Sequence, residues 1–157
     1  MTADPSALND PVKLRQLLAN AKRLGREDIV LRCQLRLVEL AGQSYEDTIE
    51  REFWMAVAAA EEFKTAINGK TTKLSRTRQK YSRVGAIACI ADWALSSKVT
   101  DGFRILIDAE RPDLTGEAIA IRHSGSFSEE AVASARRKLE EHGVDISLLG
   151  SPTNGKS

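Results

Sequence analysis

Apolar residues three and four positions apart run through almost the whole of this chain, and that period confines it to packed helices. Leu14, Leu17, Leu18, Ala21 and Leu24 make one stripe, and Ile29, Cys33, Leu37 and Leu40 a second. Ile49, Phe53, Ala56, Val57, Ala60 and Phe63 make a third. Residues at this spacing share one face of a helix, whereas a half-buried strand would alternate every second residue. Alternation is confined to Ile119-Ala120-Ile121, which reads as strand or as part of a short helix. A chain of 157 residues can bury one normal core. The expected fold is therefore all-α, about eight helices in a single domain over residues 10–146.

Capping and breaking residues set the boundaries. Asp10-Pro11 opens the first helix, since Asp caps it and Pro at the first helical position forfeits no hydrogen bond. Gly25 ends it, and a second helix over 26–41 folds back to make an N-terminal hairpin. The pair resembles a tetratricopeptide-type hairpin in general form, with no second copy following it. Ser44-Tyr45-Glu46-Asp47 begins a longer third helix, on which the hairpin packs and which Asn68-Gly69 stops. Thr71-Thr72 caps a fourth over 72–84, and Gly85 separates it from an apolar fifth over 86–96, read as its buried support. Short helices follow over 101–110, 113–123 and 129–141, interrupted at Pro112 and Gly125. Residues 1–9 and 147–157 are expected as flexible tails, and 10–68 and 69–146 as two lobes of the domain.

Charge is distributed less evenly than the overall +1 suggests. Residues 63–91 hold seven cations, Lys64, Lys70, Lys73, Arg76, Arg78, Lys80 and Arg83, and no carboxylate. The segments before and after each hold eight cations and eleven acids, a net of −3 apiece. A near-neutral chain that gathers its positive charge in one place presents a site for an anionic partner. On a helix from Thr72, the residues Lys73, Arg76, Lys80 and Arg83 form one row within about 80° of arc. Leu74, Thr77, Tyr81 and Val84 form the neighbouring row, which would face the core.

Duplex DNA is the expected partner, approached by the basic helix 72–84. Lys70, Lys73, Arg76, Lys80 and Arg83 are placed to meet phosphates, and Ser75, Thr77, Arg78 and Gln79 to meet base edges. In a helix-turn-helix reading, 49–67 supports, 68–71 turns and 72–84 recognises. Tyr81 stacks on a base in a single-strand or RNA version, or packs in the core. The alternative partner is an acidic protein, bound by a helical adaptor through the same basic face. Internal pairing of the row with Glu61, Glu62, Asp92 or C-terminal acids also stays open.

Enzyme chemistry finds no foothold in the motifs. Asn68-Gly69-Lys70-Thr71 carries the end of a phosphate loop without its upstream glycine or a preceding strand. Cys33 and Cys89 lie far apart in apolar patterns and read as buried free thiols. His123 reads as a cap or surface residue, and no pair of histidines or cysteines has metal-ligand spacing. Glu117-Ala118-Ile119 lacks the lysine of a nuclease motif, and Ser124-Gly125-Ser126 is a turn. A non-enzymatic protein with no cofactor and no metal is expected. The opening Met-Thr-Ala-Asp-Pro lacks the parts of a secretory signal, and no apolar run spans a membrane. A cytoplasmic location is expected.

Overall fold

The computed structural model describes residues 4–150, and all of their regular structure is helical. Seven α-helices follow in order: α1 Pro11–Arg23, α2 Glu27–Gln43, α3 Thr48–Asn68, α4 Ser75–Leu95, α5 Asp101–Asp108, α6 Gly116–Arg122 and α7 Glu129–Glu141. Short 3-10 turns accompany them, at Pro5–Ala7, Pro112–Leu114, Ser124–Ser126 and Ile146–Leu148. The Ile119–Ile121 run lies within α6, so the strand alternative is set aside.

Several boundaries follow from the capping residues. Asp10 accepts from the Val12 amide at 2.9 Å, and Asp47 from the Glu50 amide at 2.9 Å. Thr100 and Ser128 do the same for α5 and α7, at 3.0 and 3.1 Å. Each such cap is worth about 1 kcal/mol. The expected break between a fourth and a fifth helix falls where glycine allows it. Gly85 sits at φ 84° and ψ 177°, inside α4, and the two halves run 75–84 and 86–95 around it. Only glycine adopts that backbone without strain.

Three expectations need correction. α4 starts at Ser75 rather than Thr72, which leaves Lys73 in the preceding turn. The expected helix over 113–123 is a 3-10 turn followed by α6, because Thr115 caps the Ala118 amide at 3.1 Å and restarts the chain there. The second half of α4 is only partly buried. Ala86, Cys89, Ile90 and Ala94 face inward, but Ile87 is 48% exposed and Leu95 42%, joined by Val84 at 49%.

The core is built on α3. Its Ile49, Phe53, Ala56 and Val57 pack with Ile90, Ile119 and Ala135 from α4, α6 and α7. The α1–α2 hairpin has its own cluster around Leu14, Cys33 and Leu37. Aromatic rings join α3 to α4: Phe53 stacks on Tyr81 at 5.2 Å and on Trp93 at 5.5 Å, while Trp54 meets Tyr81 edge-on at 4.7 Å. Tyr81 is thereby a packing residue, and its hydroxyl donates to Glu50 Oε2 at 2.7 Å. Cys33 and Cys89 are buried free thiols, and burial pushes both above the usual thiol range.

Part of the stretch expected as an N-terminal tail is docked. Pro5 is buried, and Arg36 of α2 donates to the Leu8 carbonyl at 2.8 Å. At the other end Leu149 is 7% exposed, while expectations for residues 1–3 and 151–157 lie outside the described residues. Among the described residues, no helix is long and apolar enough to cross a membrane, and no group of three or more His, Cys, Asp or Glu could hold a metal ion.

Candidate nucleic-acid interface

The basic segment divides into cations held by the protein and cations left to solvent. Glu61 is the main holder. It lies near the end of α3, 5% exposed, and faces the turn that leads into α4. Its Oε2 accepts from the Leu74 amide at 2.8 Å and from Arg78 Nε at 2.8 Å, and its Oε1 accepts from Arg78 Nη2 at 2.7 Å. Lys73 Nζ stands 3.8 Å from Oε1. Burial alone would raise this carboxyl. The Arg78 and Leu74 hydrogen bonds, with the charges of Arg78 and Lys73, outweigh it and hold the group below the ordinary glutamate range. The Leu74 bond also explains where α4 begins. A carboxylate from another helix satisfies the amide that Thr72 was expected to cap.

Arg78 is thus turned inward. Its guanidinium lies 5.3 Å from the centre of the Trp54 ring as well as against Glu61, and a side chain so engaged is not free to read a base. Lys80 pairs with Asp92 across the Gly85 break. Glu62, another acid from the expected flanks, pairs with Arg15 instead. Among the described residues no carboxylate lies within ion-pair distance of Lys64, Lys70, Arg76 or Arg83.

The exposed face of α4 is made by the remainder. Ser75, Arg76, Gln79, Ser82 and Arg83 are exposed, and Arg76, Gln79 and Arg83 fall within about 60° of arc. Lys70 and Lys73 are exposed in the turn before them. Thr77 is half-buried and lines a cleft beside Arg76 rather than joining that face. Of the nine residues expected at the interface, the structure leaves Lys70, Lys73, Ser75, Arg76, Gln79 and Arg83 accessible together. Thr77, Arg78 and Lys80 are half-buried.

Two further clusters of buried charge join other helices. Arg122 donates to Glu52 Oε1 at 3.1 and 2.8 Å, and His123 Nε2 lies 3.3 Å from Glu52 Oε2. His123 is the C-cap of α6, one of the two places expected for it, and its ring is tucked beside a buried acid rather than set at the surface. Lys138 donates to the Trp93 carbonyl at 2.6 Å, and its Nζ lies 2.9 Å from Glu117 Oε2. Sequence spacing offers no signal for either cluster, because each joins helices far apart in the chain. No protein-family model, curated protein or solved structure matches the chain.

Proposed function

We propose that the protein is a non-enzymatic nucleic-acid-binding protein that presents the first half of α4 to duplex DNA. The supporting observation is the unpaired face of Arg76, Gln79 and Arg83, on a segment whose other helical cations are held by Glu61 and Asp92. Residues 75–84 extend about 15 Å, enough to lie along a major groove. Glutamine matches the acceptor and donor on the major-groove edge of adenine, so Gln79 is the candidate for a base edge, and Arg76 and Arg83 beside it are placed for phosphates. Lys70 and Lys73 in the preceding turn are placed for phosphates, with Ser75 at the helix start.

The connection between α3 and α4 runs from Gly69 to Leu74, six residues. That is longer than the three or four of a helix-turn-helix turn, so the reading rests on the exposed helix and not on that motif. Arg78 and Thr77 leave the set of base-reading candidates, and Lys80 contributes less than an unpaired lysine would.

One observation favours an acidic protein as the alternative partner. Val84, Ile87 and Leu95 are exposed apolar residues that continue along α4 beyond Arg83. A partner with acids beside an apolar stretch would match both parts.

Fluorescence anisotropy with a labelled duplex at low salt separates these readings. Arg76→Glu/Arg83→Glu is expected to weaken binding about tenfold or more. Arg104→Glu/Arg136→Glu, an equal change of net charge at exposed sites elsewhere, should change it little. Equal loss in both variants would reduce the effect to net charge. No duplex binding by the wild type would remove DNA as the partner.

A further inference from the structure

Beside the exposed face, α3, α4, α5 and α6 border a cleft of about 400 Å³. Trp93 and Phe103 are among its apolar walls, and Lys64 of α3 and Arg76 of α4 belong to its lining. Asp101, exposed at the start of α5, contributes a carboxylate, and Glu117 another that Lys138 already engages. Three features bear on what would fit. Lys64 and Arg76, two of the four cations of the basic segment without a carboxylate partner among the described residues, share this one cleft. The volume lies at the small end of ligand sites, which run from about 300 to 1,000 Å³, so it suits one small ring-bearing molecule. An aromatic wall, two cations and a free carboxylate together call for a planar ring, an anionic group and a hydrogen-bond donor in the same ligand.

A bare phosphate would use only the cations, and an apolar molecule only the walls. We propose that the cleft binds a single nucleotide unit. Its phosphate lies between Lys64 and Arg76, its base lies against the Trp93 side of the cleft, and a sugar hydroxyl donates to Asp101. The inference rests on the nucleic-acid reading when that unit is the end of a bound strand. A free nucleotide has the same chemistry and does not need that reading.

The test is an NMR titration of the full chain, following backbone amides and the Trp93 indole. The probes are AMP, adenosine, inorganic phosphate and a short single-stranded oligonucleotide with a 5′ phosphate. AMP is expected to shift the Gly102 and Gly116 amides and the Trp93 indole, since all three residues line the cleft. Adenosine and phosphate should each bind at least about tenfold more weakly, because each omits one half of the recognition. Lys64→Ala, which leaves the exposed face of α4 intact, should weaken AMP by about tenfold, and Lys64→Arg should restore most of it. Tighter binding of the oligonucleotide than of AMP assigns the cleft to strand ends, and equal binding assigns it to free nucleotides. Shifts confined to Gln79 and Arg83, or none at millimolar AMP, overturn the proposal. Duplex binding without AMP binding sinks the cleft alone. AMP binding without duplex binding sinks the DNA reading and leaves the cleft.

Discussion

Replacing Glu61 with glutamine tests how the basic segment is held. Every neighbour of its two oxygens is a donor: the Leu74 amide, Nε and Nη2 of Arg78, and Lys73. Either orientation of a glutamine amide therefore sets an NH2 against another donor. Loss of the Leu74 bond at the start of α4 costs about 1 kcal/mol, by analogy with an N-cap. Two hydrogen bonds to a charged group would add about 3 kcal/mol or more in a closed site. The Arg78 side chain is 41% exposed, so water replaces part of that, and about 1–2 kcal/mol is the fitting share. The sum is about 2–3 kcal/mol. With a urea slope of about 2 kcal/mol/M, the unfolding midpoint of Glu61→Gln should fall by about 1–1.5 M at neutral pH. The pH dependence carries a second signature. The folded carboxyl sits below its ordinary value, so its stabilisation is complete above the unfolded value of about 4.3 and is lost as pH falls through the folded value. The gap between wild type and variant should narrow steadily below about pH 4. A gap under about 0.5 kcal/mol at pH 7, or one that stays constant into acid, would refute the assignment of Glu61 as the organising charge.

Gly85→Ala should cost about 1–3 kcal/mol in a thermal melt. Nothing lies within 4 Å of the added methyl, so the whole loss would come from the backbone at φ 84°. Gly116→Ala should cost about 1–3 kcal/mol because its methyl would sit 2.3 Å from Cε3 of Trp93, and the indole fluorescence should change with it. Gly102→Ala meets Ala60 at an ordinary 3.5 Å and should stay within about 0.5 kcal/mol of wild type in the same melt. Lys138→Met should cost about 3–5 kcal/mol in urea, since it leaves the 2% exposed Glu117 without its cation. Adding Glu117→Gln should recover a substantial part of that loss, and a purely additive double variant would contradict the pairing.

Much of the helical framework was legible because it depends on neighbours in sequence. The stripes from Leu14 to Phe63 mark faces that are largely buried, and Asp10, Thr100 and Ser128 cap where short-range hydrogen bonding says they should. Gly85 breaks α4 for a reason visible in one residue. What spacing could not reveal is which acid meets which cation in space. Glu61 and Asp92 stood among the expected partners of the row, but only folding brings Glu61 to Leu74 and Arg78 and so moves the start of α4. Helical spacing already sets Arg78 on another side of α4 from Arg76, but nothing in the sequence shows that Glu61 and Trp54 wait there to hold it. Ile87 and Leu95 follow a helical period, yet they are left 48% and 42% exposed. The cleft draws residues from four helices, and although Lys64, Arg76 and Thr77 stood out within the basic segment, their spacing gave no sign that they would meet Trp93, Asp101 and Phe103.

The salt dependence of duplex binding tests the central claim most directly. Four cations of the segment, Lys64, Lys70, Arg76 and Arg83, have no carboxylate partner among the described residues. If Lys70, Arg76 and Arg83, the three on or just before the exposed face of α4, each neutralise one phosphate, the logarithm of the binding constant should fall against the logarithm of salt with a slope of about −2.7. Measured by anisotropy between about 50 and 200 mM salt, Arg76→Glu/Arg83→Glu should reduce that slope by about two phosphates' worth. A slope near zero, or one that survives the double variant, would show that duplex DNA does not bind through the exposed face of α4.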